Sequence, residues 1–332
     1  MYKYQAKYCI NQIYIFYICI AFAYNMTITQ LEYIVALADF KSFSKAADHC
    51  CVSQPSLSMQ VQKLEDELNL TLFNRKVKPL EPTLEAKEIL TKARVILSES
   101  KSILSFTKGW STQVNGNLSI GVIPTIAPYL MPRFLSDFQL KYPDLTISIS
   151  ETTTENIKAE IAEGRIDIGI LVTPLNTDLV EVPLYYEELF LYSNVWEEDG
   201  SKLSAVLDPA KLWLLEEGHC LSNQINSICN IQAGARISNS LTYQTGSLET
   251  IVRMADLGFG QTIIPQMFVD YLDVKSKEKV HSLPKPIPIR EVSLVHANSY
   301  SRIAIINALK MEILAHIPLQ WRSIADRSII PI

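Results

Sequence analysis

The chain has 332 residues and a formal net charge of −5, which is too long for one core of usual size and too acidic for a wholly basic nucleic-acid binder. Apolar residues make up 48% and charged residues 20%, which excludes a disordered chain. Two or three globular domains are expected, and a local DNA-reading module stays open because it needs only a few well-placed groups.

The six cysteines, Cys9, Cys19, Cys50, Cys51, Cys220 and Cys229, are too sparse and irregular for a secreted disulfide scaffold. None forms a C-x-x-C pair and no histidine sits at zinc-ligand spacing, so no metal or cofactor is expected. Ile13 to Tyr24 is an unbroken apolar run with five aromatics, too short for a confident membrane span and without a small-x-small cleavage site. We expect residues 1–25 to be a non-native upstream extension, no membrane association, and a cytoplasmic protein beginning at Met26.

From Thr29, a plausible N-cap, the pattern turns helical, with Leu31, Ile34, Val35 and Ala38 on one face. Ser44 is expected to cap a second helix, Lys45 to Cys50, and Cys51-Val52 to make a tight turn. Ser53 caps a third helix with Pro55 in its first turn and Leu57, Val61, Leu64 and Leu68 as its buried stripe. Two helices joined by so short a turn predict a helix-turn-helix. The exposed face of the third helix would carry Gln54, Ser56, Ser58, Gln60 and Lys63, short polar groups and a cation suited to base edges and phosphates. Such residues also occur on any solvated helix. Asn74 to Lys78, before the Pro79-x-x-Pro82 pair, reads as a basic wing. Six Lys/Arg face eight Asp/Glu between Met26 and Glu85, so the positive charge must be local.

Thr83 to Lys108 reads as one long helix. Ile89, Ala93, Ile96, Ser100 and Ile103 recur at steps of four and three, with Leu90, Leu97 and Leu104 beside them. A second copy of the same helix is the simplest partner, giving a homodimer; a helix buried within a monomer is the alternative. Polar Gly109 to Gly116 marks a boundary. Beyond it strands (Leu118–Ile123, Leu145–Ser150, Ile166–Val172) alternate with helices (Pro128–Lys141, Glu155–Glu163), predicting a parallel sheet with ligand sites beyond the strand ends, near Thr125 and Thr152 to Thr154. A second run follows: strands Leu189–Tyr192, Leu212–Leu215 and Gly260–Ile264, and a helix Ser247–Asp256. Glu291 to His296 would return to the first lobe, and a helix runs from Arg302 to about Ala315.

Between the lobes' elements, Gly218-His219-Cys220 begins a segment closed by Cys229. A histidine and a helix start both favour the thiolate, the reactive form of cysteine. Two inert buried cysteines are the alternative, and Thr125 and Thr154 read equally as ordinary strand-end caps.

The runs Gln30-Leu-Glu-Tyr33, Ser42-Phe-Ser-Lys-Ala-Ala47, Val52-Ser-Gln-Pro-Ser-Leu-Ser58, Lys63-Leu-Glu-Asp-Glu-Leu68 and Leu72-Phe-Asn-Arg75 closely resemble LysR-type transcriptional regulators. Gly121-Val-Ile-Pro-Thr125, Ala127-Pro-Tyr-Leu-Met-Pro132 and Gly218-His-Cys-Leu221 up to Cys229 resemble the peroxide-sensing members of that family. The resemblance implies an α/β chain: a winged helix-turn-helix (26–84), a dimerising linker helix and hinge (85–116), a two-lobed periplasmic-binding-protein-like regulatory domain (117–316) and a tail (317–332). It implies a dimer of dimers on double-stranded promoter DNA, contact with RNA polymerase, and a DNA-facing set that adds Phe43, Ser44, Lys45, Ala46, Ser53, Pro55, Arg75 and Lys76. It implies Cys220 as the peroxidatic thiol and Cys229 as its disulfide partner, in a pocket with Thr125, Thr154 and His219. Asn223 stands where those sensors have an aspartate, and Ala297 where an arginine is expected.

If Leu221 to Cys229 is helical, the two cysteines lie on the order of 13 Å apart. A disulfide needs Cα atoms within about 7 Å. Bond formation would therefore unwind the segment, as a two-state switch requires. The rivals are a regulator whose cleft binds a small metabolite and a thiol peroxidase; the helix-turn-helix argues against an enzyme.

Overall fold

Thr27 starts the first helix of the computed structural model, which describes residues 26–108, 114–194, 211–215, 220–229, 245–323 and 327–330. Residues 1–25, His219 and the side chain of Cys229 lie outside the described residues. The chain divides into two units, Met1–Lys101 and Ser102–Ile332, each described by itself.

In the first unit Thr27 and Gln30 form a capping box on α1 (Ile28–Phe40): each side chain accepts the other's backbone N–H, at 3.2 and 2.9 Å. The cap is thus two residues before the expected Thr29, because the glutamine needed to close the box sits at Gln30. The second helix, α2 (Phe43–His49), also starts earlier than expected, with Ser42 at the cap position and Ser44 inside the helix. Ser53 caps α3 (Gln54–Leu68) as expected, its hydroxyl accepting from the Ser56 N–H at 3.3 Å. Cys51 takes φ 56° in the turn between α2 and α3. Leu57, Val61 and Leu64 are fully buried against Leu31, Ile34 and Leu37 of α1 and Ala46 and Ala47 of α2. The wing is a two-stranded ribbon, β1 (Phe73–Asn74) with β2 (Glu81–Pro82).

The long helix α4 (Leu84–Lys108) follows as predicted. Its Ala86, Leu90, Ala93 and Leu97 pack into the core of the first unit. Ile96 and Ile103, seven residues apart, are exposed.

The second unit is built on a sheet ordered β4-β3-β5-β9-β6-β7. Three strands, β3 (Gly116–Val122), β4 (Leu145–Glu151) and β5 (Ile168–Thr173), are parallel, as the alternation predicted. The sheet as a whole is mixed, because β9 (Ile287–His296) returns from the far lobe and enters antiparallel to β5. One 14-residue strand, β6 (Val180–Ser193), serves both lobes: its first part pairs with β9, and Leu189 to Ser193 pair with β7 (Gln261–Pro265). Short β8 (Val280–Ser282) pairs with β6 as well. The strand expected at Leu212–Leu215 reduces to a single bridge from Leu212 to Gln261.

Helices α5 (Ala127–Lys141), α6 (Thr154–Ala162), α8 (Leu248–Asp256) and α11 (Ile303–Ala315) match the predicted ones within two residues; α7 (Cys220–Cys229) lies between α6 and α8 in the chain, and the single turns α9 (Gln266–Val269) and α10 (Val274–Lys277) follow β7. Glycines on neighbouring strands let α6 lie close to the sheet: a Cβ on Gly121 or Gly169 would come within 3.0 or 2.7 Å of Ile157. Thr153 caps this helix, its hydroxyl accepting from Asn156 N–H at 3.5 Å, so Thr154 opens it at the ends of the parallel strands. Beyond α11, a short strand β10 (Arg327–Ile329) runs parallel to Ile287–Ile289 of β9.

Candidate functional site

Two surfaces carry chemistry, one in each unit. On the first, the exposed residues of α3 include Gln54 and Lys63, with Ser56, Ser58 and Gln60 half-buried. Ser44, Lys45, Ser53 and Pro55 are exposed at the helix starts, and Lys76 is exposed on the wing. Ala46 is a correction: it is fully buried, so it packs α2 against the core and cannot meet DNA. Phe43 is half-buried and lies under the Arg75 guanidinium, 5.5 Å from ring centroid to carbon.

Arg75 is not a simple phosphate cation. Its Nη2 donates to Glu65 Oε2 at 2.7 Å, while Glu65 Oε1 accepts the backbone N–H groups of Leu72 (2.7 Å) and Phe73 (3.3 Å). One buried carboxylate on α3 thereby ties the recognition helix to the first strand of the wing. Sequence reasoning missed Glu65; the available signal was a carboxylate beside Leu64 on the helix's buried stripe, four residues after Val61.

In the second unit, Cys220 is the first residue of α7 and is 4% exposed. Burial raises its thiol above the ordinary range, and this outweighs the nearby Arg290 charge, the Thr154 hydroxyl and the backbone N–H groups of Leu221 and Cys220, all of which favour the thiolate. The expectation of a depressed thiol is therefore corrected in sign: the helix start acts in the expected direction, but desolvation wins. The Thr154 hydroxyl is itself buried and makes no well-formed hydrogen bond, while lying near enough to the sulfur to favour its ionised form.

Arg290 supplies the cation that the sequence reading assigned to position 297 and found missing. It is fully buried on β9, opposite Glu187 of β6 in register. Its Nε donates to Glu187 Oε1 at 2.8 Å, Nη1 to Thr125 Oγ1 at 3.0 Å and Nη2 to the Thr125 carbonyl at 3.2 Å. Glu187 Oε2 accepts the Met267 N–H at 3.0 Å. Ala297 follows the other end of β9, seven residues on, or about 23 Å in extended chain. Thr125, 2% exposed just beyond β3, is therefore a ligand of Arg290 rather than a strand-end cap. Asn223 is exposed on α7, so the structure does not bury it with the thiol.

Among the described residues one group has three metal-capable side chains, Asp137, Glu312 and His316. Its charges are already answered: the Glu312 carbonyl, 2.9 Å from His316 Nδ1, and then Asp137, 3.1 Å from Nε2, raise the imidazole, and Lys141 pairs Glu312 at 3.2 Å. No described helix is long and apolar enough to cross a membrane.

Residues 28–87 match the bacterial regulatory helix-turn-helix protein, lysR family, and residues 111–317 match the LysR substrate binding domain. A hydrogen peroxide-inducible genes activator of Haemophilus influenzae is 33% identical over 84% of this chain and 95% of its own length. The DNA-binding transcriptional dual regulator OxyR of Escherichia coli is 35% identical, over 82% of this chain and 89% of its own. A full-length OxyR variant from Pseudomonas aeruginosa superposes with a TM-score of 0.73 at 30% identity, over 87% of this chain and 95% of that one. A hydrogen peroxide-bound OxyR variant from Corynebacterium glutamicum gives 0.54 at 29%, over 88% and 93%.

Proposed function

We infer, for a chain that belongs to the LysR family of bacterial helix-turn-helix regulators, the role of a cytoplasmic sensor that reads hydrogen peroxide through a reversible Cys220–Cys229 disulfide and activates oxidative-stress genes. The observation that carries this reading is the placement of Cys220: a buried thiol at a helix start, next to Thr154 and the Arg290 charge, with Cys229 at the end of the same helix.

Arg290, held by Glu187 and Thr125, lowers the cost of the thiolate at the moment of attack. The Cys220 sulfur takes one peroxide oxygen as the O–O bond breaks, giving a sulfenic acid, and the other oxygen leaves as water with the thiol proton. Cys229 then attacks that sulfur; the S–O bond breaks, a second water leaves and the disulfide remains. Two thiols and one peroxide become a disulfide and two waters. Apolar burial keeps the resting thiol protonated, so sensing is set by the short-lived thiolate. The rival, a metabolite sensor, is favoured by the lack of both an aspartate and an arginine around Cys220. Arg290 beside the thiol speaks against it, while Asn223 still stands in the aspartate position.

Ile96 and Ile103 on α4 offer an exposed apolar stripe for a second copy, which gives a dimer, and pairs of dimers on promoter DNA with RNA polymerase alongside. Replacing Cys220 with Ser is expected to abolish the peroxide-dependent change in DNA footprint while leaving the reduced footprint intact. A variant that still responds would sink the sensor reading.

A further inference from the structure

Gln224 sits in the interior of α7, fully buried, between the two cysteines. Its Nε2 donates to the carbonyl of Ile330 at 2.9 Å. The same residue, Ile330, donates its N–H to the Ile289 carbonyl at 3.0 Å and is itself buried. One residue of the chain therefore bridges the helix that holds both cysteines and the strand that holds Arg290.

The register makes that bridge specific. On one edge of β9, Glu291 to His296 pair with β5, whose partner to Glu291 is its last residue, Thr173. Where β5 stops, β10 takes over the pairing, with Arg327, Ser328 and Ile329 opposite Ile287, Pro288 and Ile289. Arg290 lies at the junction, its backbone flanked by β10 on one side and β5 on the other. The Arg290 side chain meanwhile reaches Thr125 and acts on Cys220.

We propose that Gln224 and β10 form a clamp that holds the reduced state: Gln224 is a positioning residue that keeps α7 helical and β10 docked beside Arg290, and disulfide formation releases both. This rests on the sensor reading above. As one helix the cysteines lie about 13.5 Å apart, and a disulfide needs about 7 Å or less, so the turn carrying Gln224 cannot persist. The buried Ile330 carbonyl then loses its partner, and a buried backbone group without one does not stay buried. β10 is only three residues long, so the short ladder to Ile287–Ile289 and the buried Ile330 side chain must hold it on β9 without the Gln224 bond, and its ends should fray. The redox state of Cys220 is thereby reported to a strand more than ninety residues away in sequence, a surface that can serve as the signal between reduced and oxidised forms.

Hydrogen–deuterium exchange on the full chain, with thiol mapping of the same samples, decides this. In reduced wild type the peptide covering Ile329 and Ile330 is expected to be protected, and on peroxide treatment to exchange about tenfold faster or more, in step with the peptide over α7. Gln224→Met, which keeps the volume and removes the donor, is expected to loosen Ile330 in the reduced state and to form the disulfide at lower peroxide concentration. Ile330→Pro, outside α7, removes the Ile289 bond and should likewise lower the peroxide needed, with the loosening read at the Ile329 amide because proline has none. A Cys220–Cys229 bond that forms while Ile330 stays protected overturns the clamp. If no such bond forms, the sensor reading fails, and the reduced proteins alone decide the contact: loosening in Gln224→Met supports it, and equal protection in both overturns it.

Discussion

The Arg290 guanidinium meets the Thr125 hydroxyl at 3.0 Å and the Glu187 carboxylate at 2.8 Å, so one buried cation joins strands β6 and β9 to the loop after β3. This group has two separable duties. Removing it as Arg290→Met leaves Glu187 charged and buried, which costs about 3–5 kcal/mol of stability. It also removes the charge that favours the Cys220 thiolate, so peroxide oxidation should slow about tenfold or more. The double variant Arg290→Met, Glu187→Leu is expected to recover most of the stability and none of the rate. Recovery of both, in denaturant melts and stopped-flow oxidation, contradicts the electrostatic role.

The position of this cation also marks where sequence reading stopped. Both faces of β9 are covered, so its residues show no clean alternation, and Arg290 does not stand out among Ile289, Val292 and Leu294. What identifies it is that a charge in such a strand must be paired, and its partner Glu187 is 103 residues away on β6. The helix-turn-helix was legible because its signals are local: the Ser53 cap, Pro55 in the first turn and the stripe Leu57, Val61, Leu64. Its errors are local too, since Thr29 and Ser44 lose to Thr27 and Ser42 by two residues each. Cys220 was found by motif and misjudged in charge, because burial depends on what packs over α7 and no local pattern encodes that.

The pH dependence of oxidation follows from that burial. Burial raises the Cys220 thiol, so the thiolate fraction keeps growing above the usual thiol value of about 8.5. The oxidation rate is expected to climb through pH 8.5 without levelling. The reduced fold loses stability over the same range, because the unfolded chain gives up its thiol proton first. A rate plateau below about pH 8 argues for a depressed thiol instead.

On the first unit, Arg75 and Lys76 should differ although they are neighbours. Lys76→Gln removes one exposed cation, so the salt dependence of DNA binding should fall by about one unit of slope. Arg75→Gln breaks the bond to Glu65 and unseats the wing, so affinity should drop more and the slope change less. Equal slopes for the two would show Arg75 to be an ordinary phosphate contact.

Ile103→Asp places a charge on the exposed stripe of α4. Sedimentation should then report a lighter species, with little change in the melting of the helix-turn-helix, whose core uses Ala86, Leu90, Ala93 and Leu97 instead. An unchanged mass contradicts pairing through this face.

The most direct measurement is mass-spectrometric thiol mapping of the full chain before and after brief exposure to hydrogen peroxide. The account predicts free Cys220 and Cys229 before treatment and one new peptide joining them afterwards, reversed by dithiothreitol and lost in Cys220→Ser. Two free thiols after a treatment that oxidises other cysteines would contradict it.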